Sequence, residues 1–317
     1  MEHTRRSKRG RILVAAILAA LAASIAGCGS SAQSTTINGT IAAVGAENEY
    51  ANVIEQVGGR YVKVAAIESN PNTDPHTFEA SPSVAEEVAA AGLIVQNGVG
   101  YDTYMERIES ASGGVGSNSS RKVIDVQKLL GLPESTRNPH LWYRPQTMPA
   151  VAKAIAADLS ALQPAHAAYF QEREARFAQS LTPWYQALKQ FAAEYPNTPV
   201  ATTEPVGDYM LEAAGTRILT PFAMQADVMN GVDPAPQDVT LQDGLFSGHK
   251  VKVFLYNQQV TDSLTASFLE AAKNAGVPVV GVYETMPTPG YDYQSWMLAE
   301  VQALRRAVAE KVSTQRL

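Results

Sequence analysis

Two histidines stand in matching contexts, Asp74-Pro75-His76 and Asn138-Pro139-His140, each directly after a proline. Proline fixes its own φ and biases the residue before it towards extended geometry, so the imidazole that follows is presented in a set direction. Rigid presentation suits a metal ligand. Two carboxylates occupy comparable positions further on, Glu204 in TTEPVGDY and Glu284 in VYETMP. Each follows a short apolar run, and a carboxylate at the C-terminal end of a buried parallel strand points into the crevice where open α/β sheets bind ligands. Two neutral imidazoles and two carboxylates make a closed shell for a divalent transition ion, with charges that balance. Taken singly, each residue also reads as a structural histidine, a helix N-cap or a loop acid; the combination is what points to metal. His166, in a long helical stretch, and His249, beside Lys250 in a loop, read as solvated surface residues.

The elements that must position these groups follow a βαβα rhythm. Apolar runs at 40–44, 61–67, 93–96 and 123–126 read as strands, alternating with helical patterns at 50–57, 83–91 and 101–110. That rhythm favours parallel sheets covered by helices. From 148 to 195 the apolar spacing is helical throughout: one amphipathic helix to 162, then a longer one after Pro164 that Pro183 should kink or split. The alternation then restarts, with strands at 199–202, 251–256 and 277–282 and helices at 209–214, 263–275 and 295–311. The expected class is α/β: two lobes, each a mainly parallel sheet flanked by helices, joined by a long helix. The expected division is an N-terminal lobe at 38–163, a linking helix at 164–195 and a C-terminal lobe at 196–317.

The 317 residues suffice for two cores, and 45% hydrophobic with 18% charged is an ordinary globular balance. A net charge of −6 argues against a nucleic-acid partner. Residues 1–27 hold five basic residues and one acid, so the remainder carries −10. A basic start followed by a charge-free apolar run from Ile12 to Ile25, too short to span a bilayer, has the layout of an export signal. The chain's one cysteine stands where that signal stops, in Ile25-Ala26-Gly27-Cys28. This pattern resembles a bacterial lipobox, which implies that Cys28 is lipidated and holds the protein to the outer face of the cell membrane. Residues 28–37 read as a flexible polar tether. Arg5-Arg6 leaves the export route open.

Longer stretches carry a second resemblance. NTDPHTFEASPSVAEEVAAAGLIVQNGVGYDTY, NPHLWYRP, TTEPVGDYMLEAAG and YNQQVTDSLTASFLEAAKNAGVPVVGVYETMP are similar to successive segments of the zinc and manganese solute-binding lipoproteins of bacterial ABC importers. The likeness runs from about residue 38 to 310. It implies two similar lobes joined by a long rigid linking helix, in a receptor, not an enzyme, that holds a metal ion between them and delivers it to an ABC permease in the cell membrane. It also implies His76 and His140 as first-lobe ligands and Glu204 as the third. For the fourth, Glu284 lies closest to the strand end, with Asp292 as the alternative. Arg144 stands where many relatives carry an acid, and the histidine-rich loop of many zinc receptors is missing.

Zinc and manganese both suit this donor set, with iron behind them. The remaining partners expected are the membrane surface through Cys28 and no nucleic acid, the chain acting as a monomer. Two other readings use the same residues: a metal-dependent hydrolase and a surface adhesin with a structural metal. The sequence has no HExxH, no GxSxG and no glycine-rich phosphate loop to favour the hydrolase.

Overall fold

Two sheets with the same strand order organise the chain. The structure, a computed structural model, describes residues 36–37, 39–111 and 121–317. The expected export signal and Cys28 lie outside these residues. In the first sheet, β2 (Thr40–Glu47) runs parallel to β3 (Val62–Glu68) on one side and β4 (Leu93–Gln96) on the other, and β5 (Lys122–Asp125) extends β4. The order is therefore β3-β2-β4-β5. A short antiparallel strand, β1 (Thr36–Ile37), pairs with the start of β2, so the end of the expected tether is strand. The second sheet repeats the order as β7-β6-β8-β9, wholly parallel, with β6 (Pro199–Thr202), β7 (Arg217–Ile218), β8 (Val253–Asn257) and β9 (Val279–Val282). In both sheets the chain moves first to one side of the opening strand and then to the other. That reversal opens a crevice at the carboxyl ends of the strands.

The strands are short apolar runs because both faces are covered: β4, β8 and β9 are buried at every residue. Around the first sheet lie α1 (Asn48–Gly58), α2 (Pro82–Ala90), α3 (Thr103–Ala111), α4 (Val126–Leu129) and α5 (Thr147–Leu162). The linking segment expected at 164–195 is a 3-10 turn at Pro164–His166 followed by α6 (Ala167–Ser180) and α7 (Thr182–Glu194), with the break expected at Pro183 falling just before it. Only Leu181 separates them, at φ −77° and ψ −11°. Pro183 has no N–H to continue the ladder, so it starts a new helix in the first turn where that donor is not needed. Beyond lie α8 (Asp208–Ala213), α9 (Phe222–Met229), α10 (Pro236–Ser247), α11 (Ser263–Asn274) and α12 (Tyr293–Glu310). The strand β7 and the helices α9 and α10 fall where the sequence reading had no element.

The two sheets share a core. Tyr50 of α1, Trp142, Trp184 of α7, and Tyr293 and Trp296 of α12 are all fully buried in one cluster. The Tyr293 hydroxyl donates to the Trp142 carbonyl at 2.6 Å, and its ring meets Trp184 edge-on at 6.1 Å. Burying an aromatic of this size contributes about 1.5–3 kcal/mol. So α12, which begins after the last strand of the second sheet, locks onto the linking helices and, through Trp142 and Asn52, onto the first lobe. Among the described residues no helix is long and apolar enough to cross a membrane.

Candidate metal centre

His76, His140, Glu204 and Glu284 all lie in connections that follow the carboxyl ends of strands. His76 belongs to the connection after β3. Asp74 accepts from the His76 backbone N–H at 2.8 Å and caps a 3-10 turn, Pro75–Thr77, that presents the ring. The second lobe pins this loop, as Gln259 Nε2 donates to the Thr73 carbonyl at 2.8 Å. His140 follows β5 and α4. Asn138 Nδ2 donates to the Pro205 carbonyl at 2.7 Å, which turns Asn138 Oδ1 towards His140. That oxygen meets the His140 backbone N–H at 3.0 Å and His140 Nδ1 at 2.8 Å. The hydrogen-bond network therefore places the proton on Nδ1 and leaves the Nε2 lone pair facing the site.

Glu284 follows β9 and is fully buried. Its Oε2 lies 3.1 Å from His76 Nε2 and 3.2 Å from His140 Nε2, and accepts from the Tyr101 hydroxyl at 2.9 Å. Its Oε1 accepts from Asn257 Nδ2 at 2.7 Å, and its backbone N–H donates to Gln259 Oε1 at 2.7 Å. One ligand atom from each of His76, His140 and Glu284 falls within 4.8 Å of the others. Because Nδ1 of His140 holds the proton, Nε2 and the carboxylate oxygen confront each other as two acceptors. A cation between them, proton or metal, resolves the conflict. Burial works against charge on His76, yet Glu284 outweighs it and the His76 pKa is raised. For His140 burial prevails and the pKa is lowered, keeping the ring neutral. Burial also works to raise the pKa of Glu284, but the two imidazoles hold it below the usual carboxylate range.

Glu204 follows β6 and is also buried, on the other side of Asn257, whose Nδ2 donates to Glu204 Oε1 at 3.1 Å. Its Oε2 has no hydrogen-bond partner. Burial first and the Glu284 charge second push the Glu204 pKa well up. A second buried carboxylate beside the first is costly unless a cation or a proton joins it. Asp292, the alternative fourth ligand, stands elsewhere: its carboxylate accepts from the Ser295 backbone N–H at 2.9 Å and caps α12. Arg144 lies with its guanidinium 5.8 Å from the Tyr209 ring centroid. His166, read as solvated, stacks on Tyr61 at 3.8 Å; the 3-10 turn swings its ring onto the N-terminal lobe.

Sequence reading missed four groups that orient the ligands: Tyr101, Asn138, Asn257 and Gln259. The signal was present for two of them. YNQQV sets amides directly at the end of a buried parallel strand, where side chains enter the crevice. The side chain of His76 keeps 21% of its exposure whereas those of His140 and Glu284 keep none, so the centre opens on the His76 side.

Comparison with known proteins agrees with this arrangement. The family model described as "ZnuA: Zinc-uptake complex component A periplasmic" matches residues 44–307. "Zinc-binding protein TroA" of Treponema pallidum is 30% identical over 117 residues, 35% of this chain and 36% of that one. "Manganese ABC transporter substrate-binding lipoprotein PsaA" of Streptococcus pneumoniae is 21% identical over 236 residues, 71% of this chain and 74% of that one. A "Putative metal-binding protein" of Chlamydia muridarum is 27% identical over 126 residues, 39% of this chain and 44% of that one. The chain thus spans under half the length of two of these relatives. The solved structure of the "periplasmic zinc binding protein TroA" superposes with a TM-score of 0.71 at 18% identity, covering 86% of this chain and all of the other, a likeness of fold. With the family model matched from β2 to the last helix, the chain belongs to the ZnuA family of metal-binding solute-binding proteins.

Proposed function

We propose that this chain is an extracytoplasmic receptor that captures a divalent transition metal ion, zinc or manganese, and hands it to an ABC permease. The observation that carries this reading is the meeting of His76 Nε2, His140 Nε2 and a Glu284 oxygen within 4.8 Å, with the other ring nitrogen of His140 already bound. Glu204, with an unpartnered buried oxygen across Asn257, is the fourth ligand in this proposal. Two imidazole nitrogens and two carboxylates suit both metals, and zinc wins a direct competition by the Irving–Williams order. Relatives are named for each, TroA for zinc and PsaA for manganese. The hydrolase reading has no place in a family of solute-binding receptors.

Cys28 anchors the receptor to the membrane surface in this reading, supported by the basic and apolar leader that ends at it. Metal analysis of the purified mature chain, followed by exchange against a chelator, tests the receptor proposal. One bound zinc or manganese per chain, removable and rebinding, is the expected result; a chain that neither retains nor takes up metal overturns it. Separately, Cys28→Ala should move the protein out of the membrane fraction. A wild-type chain with no acyl mass would remove the anchor from the proposal.

A further inference from the structure

The metal centre needs side chains from the two lobes at one spacing: His140 Nε2 lies 3.2 Å from Glu284 Oε2. Behind that pair stands Tyr143, a fully buried residue that belongs to the turn of His140 and reaches the strand of Glu284. Its backbone N–H donates to the His140 carbonyl at 3.2 Å and closes the 3-10 turn, Leu141–Tyr143, that follows the ligand. Its hydroxyl crosses to the second lobe and donates to the Tyr283 carbonyl at 2.9 Å, and the Tyr283 N–H reaches the same oxygen at 3.4 Å. The Tyr283 carbonyl and the Glu284 N–H belong to one peptide plane. Gln259 Oε1 holds the other edge of that plane, accepting from the Glu284 N–H at 2.7 Å. A planar unit held at both edges does not turn, and the Cα of Glu284 is fixed with it.

The hydroxyl is itself held in place. Glu300 Oε1 lies 3.2 Å from it and also accepts from Trp296 Nε1 at 3.1 Å, while the Trp296 ring packs edge-on against Tyr143 at 5.5 Å. Burial pushes the Glu300 pKa up to about 8, so near neutral pH the group is mostly protonated and adds little charge behind the centre. Burial raises the Tyr143 pKa as well, which keeps the hydroxyl proton in place for its acceptor. We infer that Tyr143 is a positioning residue of the metal centre: it sets the Tyr283–Glu284 peptide at a fixed distance from the turn of His140, and so holds imidazole and carboxylate at their spacing before any metal arrives. The inference rests on the metal-receptor reading above. Its consequence is affinity, since a chain with its ligands in register only part of the time binds more weakly in proportion.

Tyr143→Phe keeps the ring against Trp296 and removes only the oxygen. Phe170→Leu, in α6 and fully buried in the same core, is the control for lost packing. Calorimetric titration of the metal-free mature chain with Zn²⁺, and then with Mn²⁺, should show affinity about tenfold weaker in Tyr143→Phe and within about twofold of wild type in Phe170→Leu. Co²⁺ gives a second readout, because its visible bands follow the geometry of its ligands. Those bands should shift in Tyr143→Phe and stay in place in the control. Wild type alone gives a third: the Tyr283 amide should resist hydrogen exchange in the metal-free chain. Wild-type affinity with unshifted Co²⁺ bands in Tyr143→Phe overturns the inference. Free exchange of the Tyr283 amide overturns it too, and that measurement stands even where the variant fails to fold. Equal losses of affinity in both variants also overturn it, because Tyr143 would then act through stability alone. A wild-type chain that binds no metal defeats the receptor reading first and takes this inference with it.

Discussion

Asn48 and Met286 exchange two hydrogen bonds across 238 positions of chain: Asn48 Nδ2 donates to the Met286 carbonyl at 2.9 Å, and Oδ1 accepts from the Met286 N–H at 2.9 Å. Asn48 opens α1 at the end of β2, and Met286 lies two residues past Glu284. One amide side chain thus ties the loop behind the central carboxylate to the first lobe. Asn48→Ala leaves both backbone groups of Met286 buried without these partners. The expected cost is about 1–3 kcal/mol of stability, with weaker metal binding because Glu284 loses its rigid backing. Denaturant melts of metal-free protein together with calorimetric titration check this. Equal stability in variant and wild type would refute the latch.

Glu284→Gln and Glu204→Gln separate the two carboxylates. Both substitutions keep the size and remove the charge. Loss of a supporting group typically costs roughly 10–100-fold in metal affinity, and loss of a ligand costs more. Glu284, in contact with both imidazoles, should fall beyond that range, and Glu204→Gln should at least enter it. Titration calorimetry of the two variants against wild type is the measurement. Wild-type affinity in Glu204→Gln would leave Glu204 as a buried acid hydrogen-bonded to Asn257 and outside the shell.

Asp292 gives the converse case. Its side chain and that of Ser295 form a reciprocal cap at the start of α12, the helix that closes the shared core. Asp292→Ala should therefore cost about 1 kcal/mol of stability and leave metal affinity unchanged. A thermal melt and a metal titration on the same preparation distinguish the roles. A metal defect exceeding the loss of stability would return Asp292 to the ligand set.

The contrast between these acids shows what the sequence could reveal. Glu284 was legible because β9 is an unbroken apolar run, and the first acid past such a run sits at the sheet edge. His76 and His140 were legible through the prolines before them. Asn257 and Gln259 had only their place at the end of an apolar strand to mark them, because what uncharged amides do depends on partners distant in sequence, here Glu204, Glu284 and Thr73. The same limit hid α10. Its sequence, PQDVTLQDGLFS, has a glycine in its interior and scattered apolar residues, and its burial rests on Gln242, Leu245 and Phe246 meeting the second sheet. Pattern reading finds stripes, and this helix has none.

The pH dependence of binding follows from His76. Burial opposes a charge on this ring, but the hydrogen bond and charge of Glu284 outweigh it and leave the pKa raised. A raised folded pKa means that the proton on His76 stabilises the metal-free fold. That contribution is fully present below the ordinary imidazole value of about 6.5 and is lost as pH rises through the raised value. Glu284 has the opposite sign: its pKa is lowered, so its contribution holds above the ordinary carboxylate value and is lost as pH falls through the folded one. His140 shares that sign, its pKa lowered by burial, and stays neutral through the working range. The cation must displace the His76 proton, so metal and proton compete for one nitrogen. The rise in Tm on adding Zn²⁺ or Mn²⁺ should therefore grow as pH climbs past the ordinary imidazole value of about 6.5 and level off above the raised His76 value. Uptake within that window should release a proton, measurable by calorimetry in two buffers of different ionisation enthalpy. A Tm increment constant across the series, with no proton released, would place the metal away from His76.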